Sequence, residues 1–227
     1  TLSLHDALPI SASSIFLPSL VPTRAMYQDC IQDYYLSPGS RGSLQNLEVV
    51  PLQVQALGTA DDMFKVTIRA VGLNFRDVLN VLGMYPGDPG PPGGDCAGII
   101  SSPTGFQGKG GFEIGEAVYG IVSGCLGNAV VAPAETLAPM SPSWTFHEAA
   151  SIPSVYVTAV LALEKADYAA PTTALVHAAC GGVGMAASTL VRKTGGNLVG
   201  TAGFSTKRTI LRRDFHARLH KSRDPAF

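Results

Sequence analysis

Residues 174–203 read ALVHAACGGVGMAASTLVRKTGGNLVGTAG. The segment begins with an apolar, strand-like run, passes through a glycine-rich turn into a helical pattern, and ends in a second apolar run. Strand, glycine turn, helix and strand form the opening unit of a dinucleotide-binding Rossmann fold. The sequence therefore predicts such a fold for the C-terminal part of the chain.

The glycine-rich turn runs from Ala179 to Gly184 and keeps the second and third glycines of the G-x-G-x-x-G pattern, with Ala in place of the first. Gly181 lets the backbone approach a pyrophosphate, Gly184 lets the helix pack on the strand, and the helix N-terminus offers N–H donors. We therefore predict that Gly181, Gly182, Val183 and Gly184 bind a cofactor. A plain structural turn is the alternative.

The end of the second strand indicates which dinucleotide is bound. NAD enzymes place an acidic residue there, whereas residues 201–203 are Thr-Ala-Gly. Ser205, Lys207 and Arg208 follow, and these groups suit a 2′-phosphate. The sequence therefore favours NADP(H), with a solvated basic helix face as the alternative.

The part of the chain before this unit is β-rich from about Tyr34, with short apolar runs separated by Gly and Pro. The runs 47–57 and 64–73 alternate, and the second is predicted to place Val66, Ile68 and Ala70 on one face. Further strands are predicted in DCAGII, EAVYGIV and NAVVAP. Together they indicate a compact, barrel-like sheet.

A short helix and an unusual loop interrupt these strands. Asp77 is predicted to cap the helix and Gly83 to end it. The sequence PGDPGPPGG at 86–94 excludes a helix or a central strand, so it is an ordered loop or a lid.

The period changes from 2 to 3.6 at Thr145, which has capping-box spacing to Glu148. Residues 154–166 are predicted to form a buried apolar helix. His177 is interpreted as a hydrogen-bonded core residue of the first Rossmann strand, and His147 as exposed.

Composition excludes several classes of protein. The 227 residues carry 16 Lys and Arg against 17 Asp and Glu, which gives no basic surface for nucleic acid. No apolar run reaches the length of a membrane-spanning helix. The four cysteines form no C-x-x-C pair, so neither a zinc cluster nor a disulfide framework is indicated.

The sequence VGLNFRDVLNVLGMYPGDPGPPGGDCAG at 71–98 resembles the enoyl reductase domains of modular type I polyketide synthases and, more distantly, animal-type fatty acid synthase. Residues 37–47, 144–159 and 177–187 match in the same order and at the same spacing. The resemblance covers about residues 33–227 and extends to the zinc-free medium-chain dehydrogenase/reductase superfamily.

The resemblance implies a mixed α/β fold, in which a GroES-like β-barrel domain precedes a Rossmann domain. Zinc-dependent relatives have a Cys ligand where this chain has Asn74, so no metal is expected. Asn74 and Thr158 correspond to nicotinamide-side contacts. Tyr85 corresponds to the tyrosine linked to the stereochemistry of α protonation, since a phenol can donate a proton at neutral pH. Packing at a loop hinge is the alternative for Tyr85.

The implied reaction is reduction of the α,β double bond of an enoyl thioester on an acyl carrier protein, with NADPH as cofactor. The implied partners are that carrier protein, other domains of a multidomain synthase and, in the intact protein, a second copy in a dimer. A cytoplasmic location and no membrane partner are expected.

The ends of the chain are expected to lie outside these domains. Residues 1–10 resemble the translation of a sequencing adapter, and 11–32 are expected to be a linker or the tail of a preceding region. We expect 33–140 to form the GroES-like substrate domain and 141–227 the N-terminal half of an NADP-binding Rossmann domain. The chain continues for about 55 residues after Thr173, and a six-stranded Rossmann sheet needs roughly twice that length. We therefore expect a fragment truncated at its C-terminus. An inactive fragment is the alternative to a fragment that catalyses the reaction by itself.

One residue departs from the family pattern. Relatives have a small hydroxyl residue beside the 2′-phosphate where this chain has Phe204.

Two alternatives to the synthase domain stay open, namely a stand-alone NADPH quinone oxidoreductase and a non-catalytic protein of the same fold.

Overall fold

The computed structural model describes residues 32–52, 63–101 and 111–223. Three predicted segments lie wholly or partly outside these residues. They are the adapter segment 1–10, the linker 11–32 except for its last residue, and residues 53–57 of the strand 47–57. The described residues form two compact units, one of which ends at Ser154 while the other begins at Val155. No helix in the described part of the chain is long and apolar enough to cross a membrane.

The strands and helices follow one another in the order β1 (Tyr34–Pro38), β2 (Leu47–Pro51), β3 (Met63–Gly72), α1 (Phe75–Val81), β4 (Asp95–Ile100), β5 (Ala117–Ile121), β6 (Ala129–Pro133), β7 (Leu137–Pro139), α2 (Phe146–Ala150), α3 (Pro153–Lys165), β8 (Thr173–Val176), α4 (Gly182–Lys193), β9 (Asn197–Thr201), α5 (Ser205–Phe215) and β10 (Arg218–His220). Two short 3₁₀ helices, Leu44–Asn46 and Ala134–Thr136, precede β2 and β7.

The first unit is built on an antiparallel sheet of five strands in the order β6-β3-β4-β5-β7, beside the hairpin of β1 and β2. This confirms the predicted β-rich fold. Phe64 and Val66 of β3 pack with Cys96, Ile100 and Val118 in its main core. Alternation of apolar and polar residues places these side chains on one face.

A bulge in β3 corrects the predicted faces of that strand. Its register to β4 shifts between Ile68 and Ala70. An extra residue in a strand moves the following side chains to the opposite face. Val71 therefore joins Ile68 at the main core, while Ala70 packs with Ala149 of α2 and not, as predicted, beside Val66.

Helix α1 begins earlier than predicted. Its N-cap is Asn74, and Asp77 lies in the first turn, where its carboxylate accepts from the Asn74 N–H at 2.8 Å. The prediction that Asp77 caps the first turn is confirmed, although it does so from position N3 inside the helix, where its carboxylate reaches back to the N-cap backbone. Gly83 follows the helix with φ +67°, as expected of a C-terminal glycine.

The predicted capping box is confirmed, since Thr145 Oγ1 accepts from the Glu148 N–H and the Glu148 carboxylate accepts from the Thr145 N–H. The predicted helix at 154–166 is also confirmed as α3, but the prediction that this helix is buried was wrong. Ala159 is fully buried, whereas Val157 and Leu161 are 47% and 52% exposed.

The second unit contains three parallel strands in the order β10-β9-β8. Helix α4 connects β8 to β9 and α5 connects β9 to β10, as in the first half of a doubly wound sheet. Leu211 of α5 packs with Ala179, Cys180 and Ala202, and a second cluster forms around Val191 of α4. The predicted strand, turn, helix and strand are confirmed.

Candidate functional site

Tyr85 follows α1 and is half-buried, with its N–H donating to the Leu79 carbonyl at 3.2 Å. The guanidinium of Arg76 lies over its ring, 5.4 Å from the centroid. Arg76 Nη2 also donates to the Pro89 carbonyl at 3.1 Å, so one side chain contacts both the ring and residues 86–94, here named the Pro/Gly loop. The Tyr85 ring is therefore held beside the loop.

The Pro/Gly loop is fixed by polar side chains. Asn80 is 2% exposed, and its Nδ2 donates to the Gly90 carbonyl at 3.0 Å. Arg41 donates to Asn80 Oδ1 and to the same carbonyl. The Asp77 carboxylate accepts from the Gly93 N–H at 2.8 Å. Of the two predictions for this segment, these contacts favour the ordered loop over the lid.

Asn74 is held by two carboxylates. Its backbone N–H donates to Asp77, and its Nδ2 donates to Asp95 Oδ2 at 3.0 Å. The other oxygen of Asp95 accepts from the Ser154 N–H at 3.1 Å and from Ser154 Oγ at 2.6 Å. Burial raises the pKa of the Asp95 carboxyl above its ordinary value, while the hydrogen bonds from Asn74 and Ser154 act in the opposite direction.

The glycine turn connects β8 to α4, whose N-cap is Gly181. A Cβ on Gly184 would lie 2.4 Å from the Ala178 carbonyl oxygen and 2.7 Å from Ala179 Cα, so only glycine allows this close packing. Thr201 Oγ1 accepts from the Ala178 N–H at 3.2 Å and ties the turn to the end of β9. The close helix packing inferred for Gly184 is thus present.

Basic residues surround the end of β9. Arg208 Nη1 donates to the carbonyls of Ala202 and Gly203 at 3.0 and 2.8 Å, which holds its guanidinium at that end of the strand. Lys207 Nζ lies 6.0 Å from the ring centroid of Phe204, the 72% exposed N-cap residue of α5. The cation therefore lies over the residue that departs from the family pattern.

The Cys180 thiol lies in the glycine turn. Burial raises the pKa of this thiol, while the charge of Lys207 acts to lower it and that of Asp214 to raise it. Ser205, the first residue of α5, is exposed at the same end of the sheet.

The predicted site residues fall into two groups. Asn74 and Tyr85 belong to the first unit, close to the Pro/Gly loop. In the second unit, residues 181–184 form the N-cap and the first turn of α4, and Ser205, Lys207 and Arg208 follow β9. Thr158 lies in α3 and is exposed.

The two histidines differ in outcome. His147 is exposed, as predicted. His177 lies just after β8 and is exposed, so the predicted core position was wrong because the strand ends at Val176. Its ring does contact Thr201 Oγ1, at 3.4 Å.

Sequence reasoning did not find Asp95, Arg76, Asn80 or Arg41. Asp95 had a recognisable signal, because it is the only charged residue of the otherwise apolar strand DCAGII and directly follows the Pro/Gly loop. The other three are ordinary polar residues whose importance depends on contacts with a loop far along the chain.

No protein-family model matches the sequence. Among curated proteins, the chain is 44% identical over 171 residues to the pikromycin polyketide synthase component PikAII of Streptomyces venezuelae. The match covers 74% of this chain and 4% of the synthase. Among solved structures, the CurK enoyl reductase matches with a TM-score of 0.75 and 28% identity, over 85% of this chain and 60% of that chain.

A quinone oxidoreductase from Thermus thermophilus, whose structure is also known in complex with NADPH, matches with a TM-score of 0.60 and 28% identity. The match covers 78% of this chain and 54% of the quinone oxidoreductase. The likenesses confirm the predicted α/β fold, with a GroES-like domain followed by strands of a Rossmann sheet. The chain spans a small part of the synthase and about three fifths of the enoyl reductase.

Proposed function

Because the chain is homologous to one segment of modular polyketide synthases and has the fold of an enoyl reductase, we propose that it belongs to an NADPH-dependent enoyl reductase. Its substrate is an enoyl thioester on an acyl carrier protein, and its product is the saturated thioester formed during polyketide chain extension. Its partners are the carrier protein, other synthase domains and a second copy in a dimer. The observation that carries the proposal is the glycine turn, where Gly184 packs against the backbone of Ala178 and Ala179.

The residues of the second unit fit NADPH. The turn at 181–184 offers a helix N-terminus without an acidic residue in its first turn, which suits a pyrophosphate. Lys207 and Arg208 offer positive charge, and Ser205 a hydroxyl, for the 2′-phosphate. When bound, the reduced nicotinamide supplies a hydride to the β carbon of the substrate.

Residues of this chain account for the remaining requirements. Tyr85 donates a proton to the α carbon, because its phenol is held by Arg76 next to the Pro/Gly loop. Asn74 and Thr158 contact the nicotinamide side of the cofactor and fix its orientation. A positioned donor and a fixed cofactor orientation are what such a reduction requires.

Replacement of Tyr85 by Phe tests the proton donor in the intact protein that contains this chain. We expect a loss of rate of about 100- to 10,000-fold, the usual effect of a general acid, or a changed α-methyl configuration. The measurement is reduction of a crotonyl or 2-methylcrotonyl thioester with NADPH. Tyr119→Phe is the control, since that ring packs on Trp144. Unchanged rate and configuration in Tyr85→Phe would refute the role.

Lys207→Gln tests the cofactor assignment. We expect about 10- to 100-fold weaker NADPH binding, as for a lost hydrogen bond to a charged group, with NADH binding unchanged. Fluorescence titration of both nucleotides measures this without turnover. Lys193→Gln, at the far end of α4, is the control. Equal effects on NADPH and NADH would contradict contact with the 2′-phosphate.

A stand-alone quinone reductase is the second candidate, and the likeness to the Thermus thermophilus enzyme favours it. The two functions differ in substrate. Reduction of 1,4-benzoquinone without reduction of the crotonyl thioester would support this candidate over the enoyl reductase.

A further inference from the structure

Asp95 is a buried carboxylate to which the proposed reaction gives no role. It is the first residue of β4 and is 2% exposed. A charge in such a position is costly unless hydrogen bonds compensate it. Its hydrogen-bond partners are Ser154 on one oxygen and the Asn74 amide on the other.

We propose that Asp95 is a positioning residue that fixes the orientation of the Asn74 amide and acts on the bound nicotinamide cofactor through it. The inference rests on the proposed function, in which Asn74 contacts the nicotinamide side. Asp95 itself touches neither cofactor nor substrate in this role.

The charge of Asp95 determines the orientation of the amide. A carboxylate only accepts hydrogen bonds, so the Asn74 amide must turn its NH₂ group towards Asp95. Ser154 donates twice to Oδ1, which leaves Oδ2 for Asn74. Asp77 holds the Asn74 backbone at the same time. Backbone and side chain of Asn74 are thus fixed by separate carboxylates.

Asp95→Asn keeps the size of the side chain but changes this pattern. The new amide oxygen accepts from Ser154, so its NH₂ group faces Asn74. Two donors then oppose each other, and the Asn74 amide is expected to turn by about 180° to present its oxygen. The variant therefore reverses the polarity of the Asn74 amide without leaving a cavity.

The experiment measures the Asn74 side-chain amide and NADPH binding in the same chain. In ¹⁵N spectra, we expect the Asn74 NH₂ signals to move and to exchange faster with water in Asp95→Asn. The NADPH dissociation constant is expected to rise roughly 5- to 20-fold, the effect of one lost hydrogen bond. Asp88→Asn, an exposed residue of the Pro/Gly loop, is the matched control.

A double-mutant cycle separates positioning from general stability. If Asp95 acts through Asn74, Asp95→Asn should change NADPH binding by less than about 2-fold once Asn74 is Ala. Equal losses in both backgrounds would overturn the inference, as would unchanged Asn74 NH₂ signals. Absence of NADPH binding by the intact protein that contains the unmodified chain would instead contradict the proposed function, so the two failures are distinguishable.

Ser154→Ala provides a second route if Asp95→Asn does not fold. It removes one donor from Oδ1 and keeps the Asp95 charge, so the carboxylate can rotate away from Asn74. We expect a smaller shift of the same Asn74 signals and a smaller rise in the NADPH dissociation constant. No shift of those signals would count against the proposed coupling.

Discussion

Arg76 is the residue whose two contacts join the proposed proton donor to the Pro/Gly loop. Its guanidinium lies over Tyr85 and donates to the Pro89 carbonyl. We expect Arg76→Met to lower the rate of thioester reduction about 3- to 10-fold, the size of a cation–π contact and one hydrogen bond. Steady-state kinetics with saturating NADPH measures this change.

Two further variants interpret the result for Arg76. Arg76→Lys keeps the charge and should lose less of the rate than Arg76→Met. In a Tyr85→Phe background, Arg76→Met should have little further effect on protonation, because Arg76 is expected to act through the phenol. An undiminished effect there would show that Arg76 acts elsewhere.

Asp95 predicts a pH dependence of stability. Since burial raises its pKa in the folded protein, the folded state binds this proton more tightly than the unfolded state. The resulting destabilisation is present above the folded pKa and is relieved as the pH falls towards the ordinary value near 4. We therefore expect the free energy of unfolding of the unmodified chain, relative to Asp95→Asn, to increase on acidification.

Urea unfolding at several pH values between about 4 and 8 measures this difference. A difference that is constant or decreases as the pH falls would contradict the expected shift.

Among single residues, the sequence predicted those that belong to a local pattern. Gly181 and Gly184 could be found because a turn between strand and helix requires them. For Asp95 the sequence shows only a single charged residue in an apolar strand, because its hydrogen bonds join it to residues 21 and 59 positions away in the chain. Its burial follows from tertiary packing, which no local pattern contains.

The sequence predicted the presence of strands and helices better than it predicted which of their side chains are buried. The alternation in β3 predicted the strand, but the bulge between Ile68 and Ala70 changed which side chains share a face. The burial of α3 was overestimated, because an apolar sequence shows that a helix can be buried and does not show what packs against it. Local propensity determines the element, and its partners determine exposure.

The packing of α4 on the glycine turn predicts a sensitivity to one methyl group. Gly184→Ala would place Cβ against the backbone of Ala178 and Ala179, which cannot move away as a side chain would. We expect a loss of about 1–3 kcal/mol in the free energy of unfolding and weaker NADPH binding.

Chemical denaturation and nucleotide titration measure both effects. Gly203→Ala is the control, because its Cβ would meet only Ser222 Oγ at an ordinary 3.5 Å. Equal losses in the two variants would show that the close contact at Gly184 is not the cause.

The division into two compact units has consequences for the whole molecule. Val66 and Leu211 are both fully buried, the first in β3 and the second in α5. Leu211→Ala is expected to cost about 2–5 kcal/mol, and the smaller Val66→Ala less. Each should speed amide hydrogen exchange mainly within its own unit.

Hydrogen exchange followed by mass spectrometry, peptide by peptide, tests this independence. Faster exchange spread evenly over both units in either variant would show that they unfold as one. We propose that the first unit corresponds to the GroES-like substrate domain and the second to the NADP-binding domain.

The order of strands in the first unit has a consequence for how quickly it forms. Strand β3 lies between β4, its next strand in sequence, and β6, which the chain reaches only after two more strands. In the second unit each strand pairs with the next one along the chain through a single helix. Because closing long loops costs entropy before contacts compensate it, the antiparallel sheet is expected to limit the folding rate. Asp95 and its partners would then meet late in folding.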